Sequence, residues 1–112
     1  MKQYIYILRC AGKRLYTGYT TNIEKRINSH LKGSVTSKFT RAFKPFCIEA
    51  CWILDGNKSA ALKTEASIKK LSREEKEELI KNPGLIINHT PENIPVEVNK
   101  EWTGKKLKFQ DS

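Results

Sequence analysis

The chain is 112 residues long and 38% hydrophobic, enough for one compact core and too short for two. No run approaches the roughly 18 apolar residues of a membrane span. The first ten residues lack the features of a secretory signal, and Cys10, Cys47 and Cys51 show no CxxC spacing, which argues against a disulfide framework or a zinc knuckle. A cytoplasmic chain with no membrane and no disulfide-linked partner is expected, and its net charge of +9 points to an anionic partner.

Tyr4-Ile5-Tyr6-Ile7-Leu8 is a β-branched and aromatic run ended by Ala11-Gly12-Lys13, and strand character resumes from Leu15 to Tyr19, so the two segments predict a hairpin. Gly18, inside the second strand, marks a place where another group approaches the backbone closely. Thr21-Asn22-Ile23-Glu24 fits a capping box with Thr21 as N-cap, and Ile23, Ile27 and Leu31 follow at helical spacing, giving a helix that stops near Gly33. The stretch from Ser34 to Pro45 sets basic side chains around Phe39 and Phe43 without periodicity and is expected to be a loop or irregular helix. Cys47 to Leu54 is a third strand between Pro45 and Asp55-Gly56-Asn57. A second helix is expected from Ser59 to Leu71. Ser72-Arg73-Glu74-Glu75 then caps a third, which runs to Lys81 and stops at Asn82-Pro83-Gly84.

The order β-β-α-β-α-α implies an α+β fold over residues 1–90, a small three-stranded antiparallel sheet flanked by helices. From Pro91 the character changes: Ile94, Val96 and Val98 alternate with polar residues, but Pro91, Pro95 and Gly104 interrupt them. Residues 91–112 are therefore a C-terminal tail that either docks as an edge strand or stays disordered.

The charge is not spread evenly. From Arg9 to Lys44 there are nine basic residues (Arg9, Lys13, Arg14, Lys25, Arg26, Lys32, Lys38, Arg41 and Lys44) against the single acid Glu24, a local net of +8. Such a concentration suits a phosphate backbone, although any charge run taken alone is usually a solvated surface. Glu65 stands out for the opposite reason: among Ala61, Leu62, Ala66 and Ile68 it falls within the apolar arc of the second helix. A buried carboxylate must be paired, protonated or bound to a metal, and the sequence leaves those alternatives open. Arg26 and His30 lie one turn apart beside the Ile23-Ile27-Leu31 stripe, where a guanidinium can meet a phosphate or a carboxylate. All four tyrosines, Tyr4, Tyr6, Tyr16 and Tyr19, fall in the first nineteen residues.

Taken together, Tyr4-Ile5-Tyr6, Tyr16-Thr17-Gly18 ten residues on, Arg26 ten residues after Tyr16, His30 and a helical Glu65 resemble the GIY-YIG nuclease superfamily. The segments YIYILRC, LYTGYT, NIEKRINSH, TSKFTRAFKP and ALKTEASIKKLSREEK are similar to its small stand-alone bacterial branch, the UPF0213-like proteins. The resemblance covers Lys2 to Ile80. It departs from the family pattern at Tyr4 and Thr17, and Tyr19 stands where some members carry a lysine.

The resemblance implies an endonuclease that hydrolyses phosphodiester bonds with one divalent ion, Mg²⁺ or Mn²⁺. Its catalytic set would be Tyr6, Tyr16, Arg26, His30 and Glu65, with Glu65 the one protein carboxylate on the metal, as suits a hard ion that keeps waters. Arg26 would hold the non-bridging oxygens, Tyr16 would act as general base, Tyr6 would orient the water and His30 would assist proton transfer. Arg9, Lys13, Lys32, Lys38, Arg41 and Lys44 would grip nucleic acid, DNA more than RNA, with little sequence preference, and Phe39 and Phe43 could stack on unpaired bases. A monomer is expected. The rival reading is a non-catalytic nucleic-acid binding module on the same fold.

Overall fold

The computed structural model describes residues 2–32 and 38–107. Strand β1 (Lys2–Cys10) turns through Ala11–Lys13 into β2 (Arg14–Thr20). The turn requires left-handed backbone at Gly12, with φ 76°, and Lys13 follows it with φ 61°. Helix α1 (Ile23–Lys32), the short helix α2 (Lys38–Ala42), strand β3 (Pro45–Asp55), helices α3 (Lys58–Lys69) and α4 (Arg73–Lys81), a 3-10 segment (Pro83–His89) and strand β4 (Val96–Val98) complete the order.

The α+β fold with an antiparallel sheet between helices agrees with the sequence reading, but the sheet has four strands instead of three, in the order β2-β1-β3-β4. The added strand comes from the segment after Pro91, where Val96 to Val98 pair with Leu54 to Trp52. Beyond it the chain keeps following the same edge. Asn99 N donates to Cys51 O at 2.8 Å, Gly104 N to Ile48 O at 2.7 Å, and Leu107 N to Phe46 O at 2.8 Å. Residues 96–107 thus supply partners for the backbone groups that β3 would otherwise leave unpaired.

Alternation along β1 builds two different layers. Ile5 and Ile7, with Ala50, Trp52 and Leu54 of β3, face Ala61 and Ile68 of α3, Leu79 of α4 and Ile86. On the opposite face Tyr6, Leu8 and Cys10, with Ile48 and Cys51, meet Ile23 and Ile27 of α1. Burial of each large apolar side chain contributes about 1.5–3 kcal/mol, so both layers hold the sheet. Among the described residues no helix is long and apolar enough to cross a membrane, and Cys10, Cys47 and Cys51 are free thiols.

Three local readings are corrected. The cap of α1 is Asn22 and not Thr21: its side-chain oxygen accepts from Lys25 N at 3.0 Å, while Thr20 Oγ1 accepts from Asn22 N at 3.1 Å and sets the entry. The inward stripe of α3 is Ala60, Ala61, Thr64 and Ile68, with Leu62 exposed, so Glu65 sits at the margin of that face instead of near its centre. The cause is Thr64, whose hydroxyl donates to Ala60 O at 2.9 Å and can be buried at no polar cost. Glu77, which lies one turn before Lys81 and by i, i+4 spacing would pair with it, is held by Arg9 Nη2 at 2.7 Å.

Candidate active site

The site begins with the register of the hairpin. Tyr6 lies opposite Gly18, and Tyr16 lies opposite Leu8, so both phenols project to the α1 side of the sheet. A Cβ at residue 18 would stand 2.4 Å from the Tyr6 hydroxyl, closer than atoms tolerate. Only glycine leaves room for the Tyr6 ring to lie across β2, which is the close approach that the sequence suggests at Gly18.

Tyr6 is completely buried, and its hydroxyl meets His30 Nε2 at 3.0 Å. The other ring nitrogen of His30 meets Thr40 Oγ1 of α2 at 3.1 Å. All three side chains are buried, with His30 at 2% and Thr40 at 3% exposure, so phenol, imidazole and hydroxyl form a dry chain linking β1, α1 and α2. Tyr16 packs against it: its ring centroid lies 5.5 Å from His30, edge on, and 6.4 Å from Tyr6. On its other contact Tyr16 stacks on Phe39, the neighbour of Thr40, at 5.8 Å. Phe39 in turn touches Phe43, over which the Arg14 guanidinium sits at 3.9 Å.

Electrostatics tie the remaining residues to this chain. Burial pushes the Tyr6 phenol far above the usual tyrosine range; the nearby Tyr16 adds to this, Arg26 opposes it, and Glu65 and Cys51 add further. Burial also pushes His30 down, to about 4, and the Arg26 charge works in the same direction. At neutral pH Tyr6 therefore keeps its proton and His30 is uncharged. Tyr6 is the point where Arg26, from the layer of α1, and Glu65, from the layer of α3, are both felt.

Solvent access divides the five expected site residues. Arg26, beside the apolar stripe of α1, is exposed, and Tyr16 and Glu65 are partly accessible, whereas Tyr6 and His30 are closed off. The Glu65 side chain is 16% accessible, with Lys69 Nζ at 3.7 Å, one turn along the same helix. Among the described residues no three His, Cys, Asp or Glu side chains cluster as a cage, so an ion here would rest on one protein carboxylate and complete its shell with water and phosphate oxygens. A lone carboxylate oxygen donor suits a hard ion such as Mg²⁺ or Mn²⁺.

Of the residues expected to grip nucleic acid, Lys13, Lys32, Lys38, Arg41 and Lys44 are exposed. Arg9 is engaged elsewhere. Its Nη2 donates to Glu77 Oε1 at 2.7 Å, its Nη1 to Glu77 Oε2 at 3.3 Å, and its Nε lies 3.5 Å from Glu49, a fork geometry that ties β1 to α4. Thr40 is the site-chain member that sequence reading missed, because it stands in an aperiodic segment and nothing in its spacing marks it.

Residues 2–78 match the GIY-YIG catalytic domain. The UPF0213 protein of Syntrophus aciditrophicus is 48% identical over 83 residues, covering 73% of this chain and 94% of that protein. The UPF0213 protein BH0048 of Halalkalibacterium halodurans is 40% identical over 84 residues, covering 75% of this chain and 87% of that protein. A solution NMR structure of the UPF0213 protein BH0048 from Bacillus halodurans is 38% identical, covers 78% of this chain and 94% of its own, and superposes with a TM-score of 0.47. With more than half its length matched by the domain and relatives aligned over most of theirs, this chain belongs to the GIY-YIG family.

Proposed function

We propose that this protein is a divalent-metal-dependent endonuclease that hydrolyses phosphodiester bonds of nucleic acid, DNA in preference to RNA, with little sequence specificity, as a cytoplasmic monomer. The observation that carries the reading is the convergence at Tyr6: a buried phenol hydrogen-bonded to His30, packed beside Tyr16 and within electrostatic reach of both Arg26 and Glu65. Each buried polar group of the set has a partner that offsets its desolvation, so Tyr6, His30 and Thr40 are held in one geometry.

In this reading Glu65 holds Mg²⁺ or Mn²⁺, which when bound supplies Lewis-acid neutralisation of the charge growing on the phosphate. Arg26, exposed and always charged, binds the non-bridging oxygens. Tyr16, partly accessible, takes the proton of the attacking water while its own hydroxyl proton passes to solvent, as the new phosphorus–oxygen bond forms, the bond to the leaving oxygen breaks and that oxygen takes a proton from water. Tyr6 has no access to solvent, so its part is positional: with His30 it fixes the floor under Tyr16 instead of contacting the water itself. Lys13, Lys32, Lys38, Arg41 and Lys44 hold the backbone, which makes binding sequence-tolerant and steeply salt-dependent. Arg9 has no place in this grip while Glu77 and Glu49 occupy it.

The test is Mn²⁺- or Mg²⁺-dependent cleavage of plasmid, single-stranded DNA, branched DNA and RNA by the parent, beside Tyr16→Phe, Arg26→Ala and Glu65→Gln. The parent should cut, and each folded variant should lose about 100-fold or more. Cleavage that survives all three substitutions sinks the assignment, and salt-sensitive binding without any cleavage would assign the fold to a binding module.

A further inference from the structure

We propose that Thr40 is a positioning residue of this site: its hydroxyl oxygen accepts the Nδ1–H of His30, which fixes the imidazole tautomer and leaves Nε2 to accept the hydroxyl proton of Tyr6. The consequence for cleavage rests on the nuclease reading, but the arrangement of protons does not.

The argument starts from Tyr6. Its hydroxyl is sealed from solvent, and a buried O–H must find an acceptor. Among the described residues the group that meets it is His30 Nε2, at 3.0 Å. A neutral imidazole carries its one proton on either nitrogen. With the proton on Nε2, the ring would donate to the phenol oxygen, and the buried Tyr6 proton would then need a different acceptor from the nitrogen that it meets. With the proton on Nδ1, Tyr6 donates to Nε2, and the imidazole then needs an acceptor on its far side. Thr40 Oγ1 stands there at 3.1 Å, and its own exposure is 3%, so water does not compete for the place.

The position of Thr40 in the chain sharpens its role. It follows Phe39 directly on α2, and Phe39 stacks on Tyr16. Two consecutive residues of one short helix thus hold the two rings of the site that differ in access, Phe39 the partly exposed phenol and Thr40 the buried imidazole. A hydroxyl suits the task because it accepts while keeping its proton for use elsewhere, which neither valine nor alanine can do.

The proton assignment is read by the nitrogen chemical shifts of the His30 ring in the folded protein. The chain has two histidines, so a His89→Gln background leaves one imidazole to follow. In that background His30 should show a protonated Nδ1 and a bare Nε2. Thr40→Val, which keeps the shape and removes the acceptor, should move the proton toward Nε2 and lower kcat by about 10- to 100-fold with KM little changed. Thr40→Ser should restore both the tautomer and the rate, so that loss of packing is separated from loss of the acceptor. An Nε2-protonated ring in the unsubstituted site overturns the proposal, as does a folded Thr40→Val protein with unaltered tautomer and kcat. If the tautomer responds as expected in a protein that cleaves nothing, the proton arrangement stands and the nuclease reading alone falls.

Discussion

The two faces of the sheet are built from the same strands by different rules. Toward α3 and α4, β1 and β3 present Ile5, Ile7, Ala50, Trp52 and Leu54, a mainly apolar layer closed by Ile68 and Leu79, with Gln3, Thr17 and Thr64 as its buried polar side chains. Toward α1 the same strands present Tyr6, Leu8 and Cys51, and the layer contains an imidazole and a threonine hydroxyl as well as Ile23 and Ile27. The first face gains stability from area. The second gives some of that up, because every polar atom taken from water must be returned a partner, and obtains in exchange three groups held in one geometry. Substitutions on the first face should therefore move stability and spare the chemistry per folded molecule, whereas those on the second should move both.

The largest effect is expected at Trp52. It is fully buried, and its indole N–H donates to Pro83 O at 2.9 Å, so Trp52→Ala removes both the volume and the pin that joins β3 to the 3-10 segment. A loss of about 3–5 kcal/mol should appear in urea unfolding. If it costs under about 1 kcal/mol, the apolar face is not the stabilising layer and the comparison fails.

The polar face should reveal itself through pH. His30 falls from 6.5 in the unfolded chain to about 4 in the fold, because burial disfavours its charged form. Between those values the unfolded chain binds a proton that the folded one refuses, so stability rises with pH across the window, is fully present above 6.5, and is lost as pH falls toward 4. The size is on the order of 3 kcal/mol. His30→Gln should flatten that slope, measured as unfolding free energy at neutral and mildly acidic pH. An unchanged slope would mean that the imidazole is not sealed as the structure has it. Tyr6 runs the other way: its raised phenol favours the fold until alkaline solution ionises the unfolded chain near pH 10, above which stability declines.

Gly18 sharpens the comparison at smaller cost. Gly18→Ala drives a methyl to within 2.4 Å of the Tyr6 hydroxyl, and Tyr6, buried on all sides, has nowhere to retreat. Overpacking of this kind costs about 1–3 kcal/mol. Cleavage per folded molecule should fall as well, because the displaced phenol carries His30 with it. An active and stable Gly18→Ala protein would show that the tyrosine does not lie across β2.

How much of this could be read from the sequence follows the same division. The hairpin, the third strand and the Ser72 cap were legible because each is encoded locally: β-branched alternation bounded by turn residues, and a capping box whose hydroxyl and carboxylate both engage as expected. The fourth strand was legible only as one of two outcomes for the tail, because Val96–Val98 is three residues long, is framed by Pro95 and Asn99, and exists by virtue of a β3 edge some forty residues earlier in the chain. Tyr6, Tyr16, Arg26, His30 and Glu65 were singled out by their ordered spacing, but their division into buried and accessible groups was not legible, since it depends on which helix lies on which face. Glu65 misled most. A helical wheel counts alanine and leucine as inward, and here Leu62 and Ala66 point out while Thr64 satisfies itself on the backbone and points in. Thr40 carried no signal at all.

The smallest effect belongs to Arg9, which a charge count places with the phosphate-binding residues and the structure places between β1 and α4. Its fork on Glu77 spans the outer edge of the apolar layer, and the hydrogen bonds from Arg9 hold the Glu77 carboxyl below its usual range. The pair is partly open to solvent, with side-chain exposures of 18% and 36%, so screening limits its contribution to about 0.2–1 kcal/mol. A double-mutant cycle of Arg9→Met and Glu77→Gln should return a coupling in that range, present at neutral pH and lost as acid protonates Glu77 through its lowered folded value. The decisive arm is nucleic-acid affinity. Arg9→Met should leave both the affinity and its salt slope where they were, while Arg41→Met should reduce the slope by about one unit, one released counterion for one phosphate contact. If Arg9→Met weakens binding as much as Arg41→Met does, Glu77 releases the guanidinium when nucleic acid arrives, and the boundary between the structural and the functional face runs one residue further along β1.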